Sequence, residues 1–188
     1  MCLSNIYVIF SNDPAHTLVW SDVVDLPEQL NLKMELQTKT QTLLSLWKEA
    51  RTRFSNQLKS LQPQDLLRKL PLTQNSVGFL IRHVGDVELL FAKNVFGSKL
   101  SVSAKTLIAQ HDTGEWTDLS SLLEYVSHSA EALEIAIGLQ SDQDWDTEIV
   151  TKEFGVKTKA ESLGRIISHT AHHGGQLAII LKYADHEK

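Results

Sequence analysis

The chain has 188 residues, of which 42% are hydrophobic and 22% charged, and its formal net charge is −5. This length suits one domain with a terminal extension, and the composition excludes a disordered chain, a collagen-like repeat and a disulfide scaffold. The acidic balance argues against a nucleic-acid partner, because neutralising phosphates needs a basic face. No apolar run reaches the roughly 18 residues of a membrane span, so we expect no membrane partner either.

The first part of the chain differs in composition from the rest. Residues 1–32 contain four carboxylates and no Lys or Arg. They lack the basic and long apolar regions of a secretory signal, and the single cysteine, Cys2, fits a reducing compartment, so we expect a cytoplasmic protein. We predict an N-terminal appendage of uncertain structure over residues 1–33 and a domain over residues 34–188, with Met34 as a candidate alternative start.

Two amphipathic helices are predicted in the first half of this domain. Apolar residues recur at intervals of three and four over residues 36–61, and Pro63 then ends the pattern. A second such stretch runs over about residues 76–96 and stops at Gly97, a common helix end. Its apolar face is broad, so we expect this helix to be buried against several neighbours.

Two further helices are predicted over residues 117–139 and 160–183. The earlier of the two has the cleanest apolar periodicity in the chain, with Thr117 or Asp118 as its cap. The link over residues 140–160 contains a β-prone stretch and is predicted to hold a short extended or hairpin element. Four helices of roughly 20 residues are each about 30 Å long, which is enough for one continuous core. We therefore predict an all-α fold, a four-helix bundle.

Histidines cluster in the last predicted helix, where His169, His172 and His173 lie within five residues. The spacing of four places His169 and His173 on one face, one turn apart, where two ring nitrogens can converge on a metal ion. His172 points elsewhere. The shared face borders the apolar stripe, and buried imidazole nitrogens need polar partners. A histidine pair satisfied in the core or at the surface explains the spacing equally well, so both interpretations stay open.

A third ligand for such an ion has to come from another helix, and His83 is the candidate. It lies on the second predicted helix, and among the remaining histidines it alone is in an apolar stripe whose pattern predicts burial. Three imidazoles with no thiolate and no obvious fourth protein ligand indicate open coordination positions, as in catalytic rather than structural sites. Imidazole accepts both zinc and nickel, so the ligand type does not choose between these two metals.

These histidines occur in two motifs that resemble the DinB-like (DinB and YfiT-like) family of metal-binding four-helix bundles, over about residues 34–183. In that family one ligand lies on the second helix and two, four residues apart, lie on the last, which implies His83, His169 and His173 here. Gly174 departs from the pattern, since many members have arginine there, and any anion contact of that arginine is in doubt. The motifs are Ser76-Val77-Gly78-Phe79-Leu80-Ile81-Arg82-His83 and His169-Thr170-Ala171-His172-His173-Gly174-Gly175-Gln176-Leu177.

The resemblance also implies an activity in general terms. Relatives include enzymes that activate a low-molecular-weight thiol, such as mycothiol or bacillithiol, at the metal. A divalent ion lowers the pKa of a bound water or thiol and so generates a nucleophile near neutral pH. Asp86, one turn beyond His83, and Gln176, near His173, are the nearest candidates to support the ligands or exchange protons. The expected alternatives are a solvated Asp86, a structural hydrogen bond for Gln176, and a surface or interhelix contact for His172, which is also a candidate to support the ligands.

Two hypotheses about function remain. The first is a metal-dependent transferase or hydrolase that takes a small-molecule substrate and uses a low-molecular-weight thiol, with no catalytic residue assigned beyond the ligands. The alternative is a non-catalytic bundle, a stress-related or binding protein in which the ion joins the second and fourth helices. In both cases we expect a homodimer, because an acidic bundle with exposed helix faces can pair readily and the resemblance points the same way.

Overall fold

A computed structural model describes residues 38–184 of the chain. Within this range four long helices form the predicted all-α bundle, which is confirmed. The predicted appendage over residues 1–33 and its boundary at Met34 lie outside the described residues. The elements are α1 (Lys39–Leu58), α2 (Val77–Asn94), a short α3 (Lys105–Ala109), α4 (Leu119–Gly138), β1 (Glu148–Thr151), β2 (Gly155–Thr158) and α5 (Lys159–Tyr183).

Each long helix begins at a side chain that caps its first turn. Thr38, Ser76, Asp118 and Thr158 precede α1, α2, α4 and α5, and each accepts a hydrogen bond from the backbone N–H three residues later. Such a cap contributes about 1 kcal/mol to helix stability. Asp118 is one of the two caps expected for its helix, so the local sequence sets where the helices begin.

The bundle packs α2 mainly against α4 and α1 mainly against α5. Apolar side chains between them form two buried clusters, one containing Phe54 and Leu177 and the other containing Trp47 and Leu133. Full burial of one such side chain contributes about 1.5–3 kcal/mol, so the apolar stripes supply the core. No helix between residues 38 and 184 is long and apolar enough to cross a membrane.

The predicted extended element between the last two long helices is present as a hairpin. β1 and β2 pair antiparallel, with Val150 opposite Val156, and Gly155 follows the turn at a φ of +71°, which favours glycine. At the base of the hairpin the buried Trp145 donates from Nε1 to Thr40 Oγ1 over 2.7 Å. This hydrogen bond fastens the link to the first turn of α1.

The link between α2 and α4 contains α3 and packs closely on α2. At Gly78 an added Cβ atom would lie 2.0 Å from the backbone oxygen of Trp116, so a larger residue does not fit without movement of the backbone. The guanidinium carbon of Arg82 lies 5.1 Å from the Trp116 ring centroid and 3.6 Å from that of Tyr125. The contacts with Trp116 hold the link against α2, the helix that carries His83, and the contact with Tyr125 joins α2 to α4.

Candidate metal centre

Three histidines from two helices converge at one point in the bundle. His83 extends from α2, and His169 and His173 extend from successive turns of α5. The Nε2 atom of His169 lies 3.2 Å from Nε2 of His83 and 3.1 Å from Nε2 of His173. Each ring offers one nitrogen to this cluster, and these nitrogens all lie within 4.8 Å of one another. The structure therefore brings together the three histidines that the sequence singles out.

The hydrogen-bond partners of Nδ1 in His173 and in His83 determine which nitrogen of each ring carries the proton. His173 Nδ1 lies 2.6 Å from Gln176 Oε1, which can only accept a hydrogen bond, so this nitrogen carries the proton. His83 Nδ1 lies 3.1 Å from the hydroxyl oxygen of Thr106. With both Nδ1 atoms protonated, His83 and His173 each present an Nε2 lone pair to Nε2 of His169, which carries at most one proton. At least one lone pair is therefore left without a donor, and a shared cation would satisfy it. Gln176 is thus hydrogen-bonded to one of the three histidines.

Burial keeps all three rings neutral near neutral pH. Desolvation, assisted by the neighbouring imidazoles, lowers the pKa of His169 to about 3. Desolvation likewise lowers the pKa of His173 to about 4, although the hydrogen bond to Gln176 acts in the opposite direction. The pKa of His83 is lowered by burial too, against the opposing charges of Asp86 and Glu153. Neutral imidazole is the form that binds a metal.

The spacing of the nitrogens fits a divalent transition metal. Nitrogens bound to zinc at about 2.0–2.1 Å are about 3.3–3.4 Å apart in a tetrahedral arrangement and about 2.9 Å apart in an octahedral one. The separations of His169 Nε2 from the other two Nε2 atoms, 3.1 and 3.2 Å, lie between these values. Nδ1 of His169 is buried with no hydrogen-bond partner among the described residues, so its ring makes its polar contact through Nε2 alone. The donor set and these separations therefore suit a divalent metal ion.

Asp86 lies behind His83 and acts on it through Thr106. Asp86 is fully buried, so the alternative of a solvated helix residue is wrong. Its Oδ2 atom accepts hydrogen bonds from the Thr106 hydroxyl over 2.8 Å and from the Thr106 backbone N–H over 2.9 Å. Because the single hydroxyl proton goes to Asp86, the Thr106 oxygen is left to accept from His83 Nδ1. This chain holds the His83 ring with Nε2 directed at the cluster.

The other carboxylate oxygen of Asp86 also accepts hydrogen bonds. Its Oδ1 atom accepts a hydrogen bond from Arg82 Nε over 2.8 Å and from the hydroxyl of Tyr125 over 2.6 Å. Burial, and then the hydrogen bond to Asp86, raise the pKa of Tyr125, so its hydroxyl stays protonated and continues to donate. Asp86 thus links α2, α3 and α4 immediately behind one histidine of the cluster.

Removal of the Thr106 hydroxyl is expected to weaken metal binding. In the isosteric Thr106→Val variant His83 Nδ1 has no acceptor, and loss of such a partner typically costs about 10–100-fold in metal affinity. Thr106→Ser keeps the hydroxyl and should bind as the wild type does. The zinc dissociation constant, measured by competition with a chromogenic chelator, tests this. Equal constants for the valine and serine variants would contradict the role of the hydroxyl.

His172 and Gly174 lie beside the cluster but do not join it. His172 is exposed, makes no hydrogen bond to the three histidines, and its ring centroid lies 5.1 Å from that of His173. Gly174 faces α1, where an added Cβ atom would lie 3.3 Å from the backbone nitrogen of Phe54. This contact is tighter than usual, so a larger residue at position 174 would require the backbone of α1 to shift slightly.

A cavity of about 860 Å³ opens beside the cluster. All three histidines line it, so an ion held by them would be accessible to a small molecule in the cavity. The polar lining includes Asn94, Ser168 and His172 and three charged residues, and the tip of the β1–β2 hairpin forms one side. The apolar lining consists of Val87, Leu90, Phe91, Val95, Leu107 and Phe154.

A sequence comparison identifies the family. The sequence profile of the DinB superfamily matches residues 46–177, which is more than half of the chain. The chain belongs to the DinB superfamily. This superfamily member matches no curated protein in sequence.

Several solved structures share the fold, and two of them illustrate the likeness. A DinB-like protein from Bacillus cereus aligns with a TM-score of 0.63 and 18% identity over 81% of this chain and 97% of that protein. A mycothiol-dependent maleylpyruvate isomerase aligns with a TM-score of 0.61 and 18% identity over 73% of this chain. The DinB superfamily member described here spans only 60% of the isomerase. At this identity both likenesses establish the fold.

Thr106 and Tyr125 are the site residues that the sequence did not reveal. Thr106 lies on α3, a helix of five residues that is too short to produce an apolar period. Tyr125 is an ordinary aromatic residue within the α4 periodicity. Neither residue has a sequence pattern that marks it as part of a site. Thr106 reaches the site because the α2–α4 link packs on α2, and Tyr125 reaches it because α4 packs on α2.

Proposed function

We propose that this DinB superfamily member binds a divalent metal ion, zinc or nickel, through His83, His169 and His173. We further propose that it is a metal-dependent transferase or hydrolase that acts on a small molecule with the help of a low-molecular-weight thiol. The convergence of three neutral imidazole nitrogens on the wall of a large cavity carries this proposal. An ion held by three protein ligands keeps open positions, as in catalytic metal sites.

The chemistry of such an ion explains the arrangement around it. When bound, it would lower the pKa of a coordinated water or thiol and so supply a nucleophile near neutral pH. The residues of the chain orient the ligands, since Gln176 fixes His173 and Thr106 fixes His83. The cavity then admits the substrate beside the site. Dependence on a thiol is supported by the mycothiol-dependent isomerase, which shares the fold.

Turnover with a thiol cosubstrate tests the enzymatic proposal. The zinc- or nickel-loaded protein is incubated with mycothiol or bacillithiol and a panel of electrophiles, and thiol consumption is followed. We expect consumption to fall to the uncatalysed rate in His173→Ala, while His128→Ala, which changes an exposed histidine on α4 that does not line the cavity, stays active. Consumption that persists in His173→Ala, or after complete removal of metal from the wild type, would contradict a metal-dependent reaction.

A non-catalytic role is the second candidate, because the histidines join two helices that are distant in sequence. His83 lies on α2 and the other two ligands lie on α5, so a bound ion would clamp these helices together. This alternative predicts a large fall in the melting temperature on chelation and no turnover with any thiol. Size-exclusion chromatography with light scattering tests the homodimer that we propose for both functions, and a monomer alone would count against it.

A further inference from the structure

Arg165 is a cation on the cavity wall that the metal site leaves unused. It lies on α5 four residues before His169, which corresponds to about 6 Å of helix rise. Among the described residues its guanidinium has no hydrogen-bond acceptor and no carboxylate partner, whereas Arg51, Arg68 and Arg82 each pair with a carboxylate. The N–H donors of Arg165 are therefore available to a molecule in the cavity.

The ring of Phe154 contacts the guanidinium of Arg165, which is otherwise exposed. Its central carbon lies 4.6 Å from the ring centroid of Phe154, at the tip of the β1–β2 hairpin. The Phe154 ring in turn stacks on that of Phe91 on α2, with centroids 6.2 Å apart and planes inclined by 22°. A guanidinium that lies over a ring keeps the N–H donors at its edge free for a planar anion. All three side chains line the cavity.

The charge of the cavity differs in sign from that of the chain. Its charged lining residues are Lys152, Glu153 and Arg165, a net charge of +1, while the whole chain carries −5. The histidines of the cluster are neutral, so a divalent ion would make the cavity more positive still. A positive cavity in an acidic protein attracts anions selectively.

We infer that Arg165, held against Phe154, binds a carboxylate group of the substrate, so that the substrate is an organic carboxylate with an apolar body. The apolar wall around Phe91 accommodates the body of the molecule, and the arginine fixes its charged end about one helical turn from His169. The cavity volume lies within the range of small-molecule sites. The inference rests on the proposed function only in identifying the bound anion as the substrate.

A carboxylate fits this site better than a phosphate does. The guanidinium can pair through two parallel N–H donors with a carboxylate or with a phosphate, so the neighbouring charge decides between them. The side chain of Glu153 lies on the same hairpin tip, and its negative charge opposes a doubly charged phosphate more strongly than a singly charged carboxylate. Replacement of Glu153 by glutamine should therefore strengthen carboxylate binding.

Phenylbutyrate and its neutral amide, phenylbutyramide, serve as matched probes. Their binding to the full chain is measured by isothermal titration calorimetry, in the zinc-loaded form and again after chelation. The metal-free measurement isolates the contribution of Arg165, because a carboxylate can also coordinate zinc directly. Because binding is measured with and without zinc, the absence of a carboxylate site at Arg165 can be distinguished from the absence of a metal site. We expect the wild type to bind the carboxylate about tenfold more tightly than the amide, as one charge-assisted hydrogen bond predicts.

Variants of exposed residues complete the experiment. Arg165→Gln should lose the preference for the carboxylate and Glu153→Gln should increase it. Arg53→Gln, which changes an exposed arginine on α1 away from the cavity, should leave it unchanged. Thermal melts that match the wild type confirm that the variants are folded. The inference would be overturned if both probes bound equally, if phenylbutyrate did not bind, or if Arg165→Gln kept the preference for the carboxylate. It would also be overturned if inorganic phosphate displaced phenylbutyrate as effectively as a second carboxylate does.

Discussion

Replacing His173 by alanine is expected to abolish stoichiometric metal binding while the bundle stays folded. This change removes one of three converging nitrogens and exposes the partly buried site to water. Loss of a supporting hydrogen bond alone weakens metal binding about 10–100-fold, so loss of a ligand should exceed about 100-fold. Metal content by inductively coupled plasma mass spectrometry, on dialysed protein without a histidine tag, measures the effect.

His172→Ala is the matched control, because it removes the adjacent imidazole from the same helix turn. His172 is exposed and has no hydrogen bond to the cluster, so its variant should retain the wild-type metal content. Circular dichroism of both metal-free variants should show the same helix content. Stoichiometric metal in His173→Ala, or an equal loss in His172→Ala, would contradict the assignment of the ligands.

Replacing Glu88 by alanine is expected to cost about 3–5 kcal/mol in the free energy of unfolding, the usual penalty for breaking a buried ion pair. Glu88 on α2 is fully buried and accepts hydrogen bonds from Arg51 Nε over 2.7 Å, from Arg51 Nη2 over 3.1 Å and from Ser129 Oγ over 2.7 Å. Its removal leaves the largely buried guanidinium of Arg51 without a counter-charge. Urea denaturation followed by circular dichroism measures the loss.

Two control variants separate the effect of burying the ion pair on stability from the effect of its charges. Lys48 and Glu134 form an exposed pair over 2.5 Å between α1 and α4, and Glu134→Ala should cost no more than about 1 kcal/mol. The double variant Arg51→Met with Glu88→Met removes both buried charges and should recover most of the stability that Glu88→Ala loses. If Glu88→Ala and Glu134→Ala have equal effects, the buried pair does not stabilise the bundle as described.

The sequence predicts the bundle well because its signals are local and repeated. The apolar periods that define the long helices each extend over about five turns, and the cap Asp118 marks the start of one of them. The three histidines could be singled out for the same reason. A spacing of four on one helix and a histidine within an apolar stripe are both visible before any tertiary contact is known.

The surroundings of the histidines could not be predicted in the same way. Asp86 and Glu88 both lie on α2, and the sequence alone does not show that each carboxylate is buried with an arginine partner. Asp86 pairs with Arg82 on the same helix, whereas Glu88 pairs with Arg51 on α1. Thr106 reaches His83 only because the α2–α4 link folds back onto α2. Such contacts depend on packing between distant segments, which leaves no period in the sequence.

Anomalous diffraction from crystals of the zinc-loaded protein, recorded at the zinc absorption edge, tests the metal centre most directly. We expect one strong peak at the cluster, about 2.0–2.1 Å from Nε2 of His83, His169 and His173, and open to the cavity. In zinc-loaded protein, the absence of a peak at the cluster, or a peak coordinated by other residues, would contradict the proposed site. In that case the three histidines would have a structural role in the bundle.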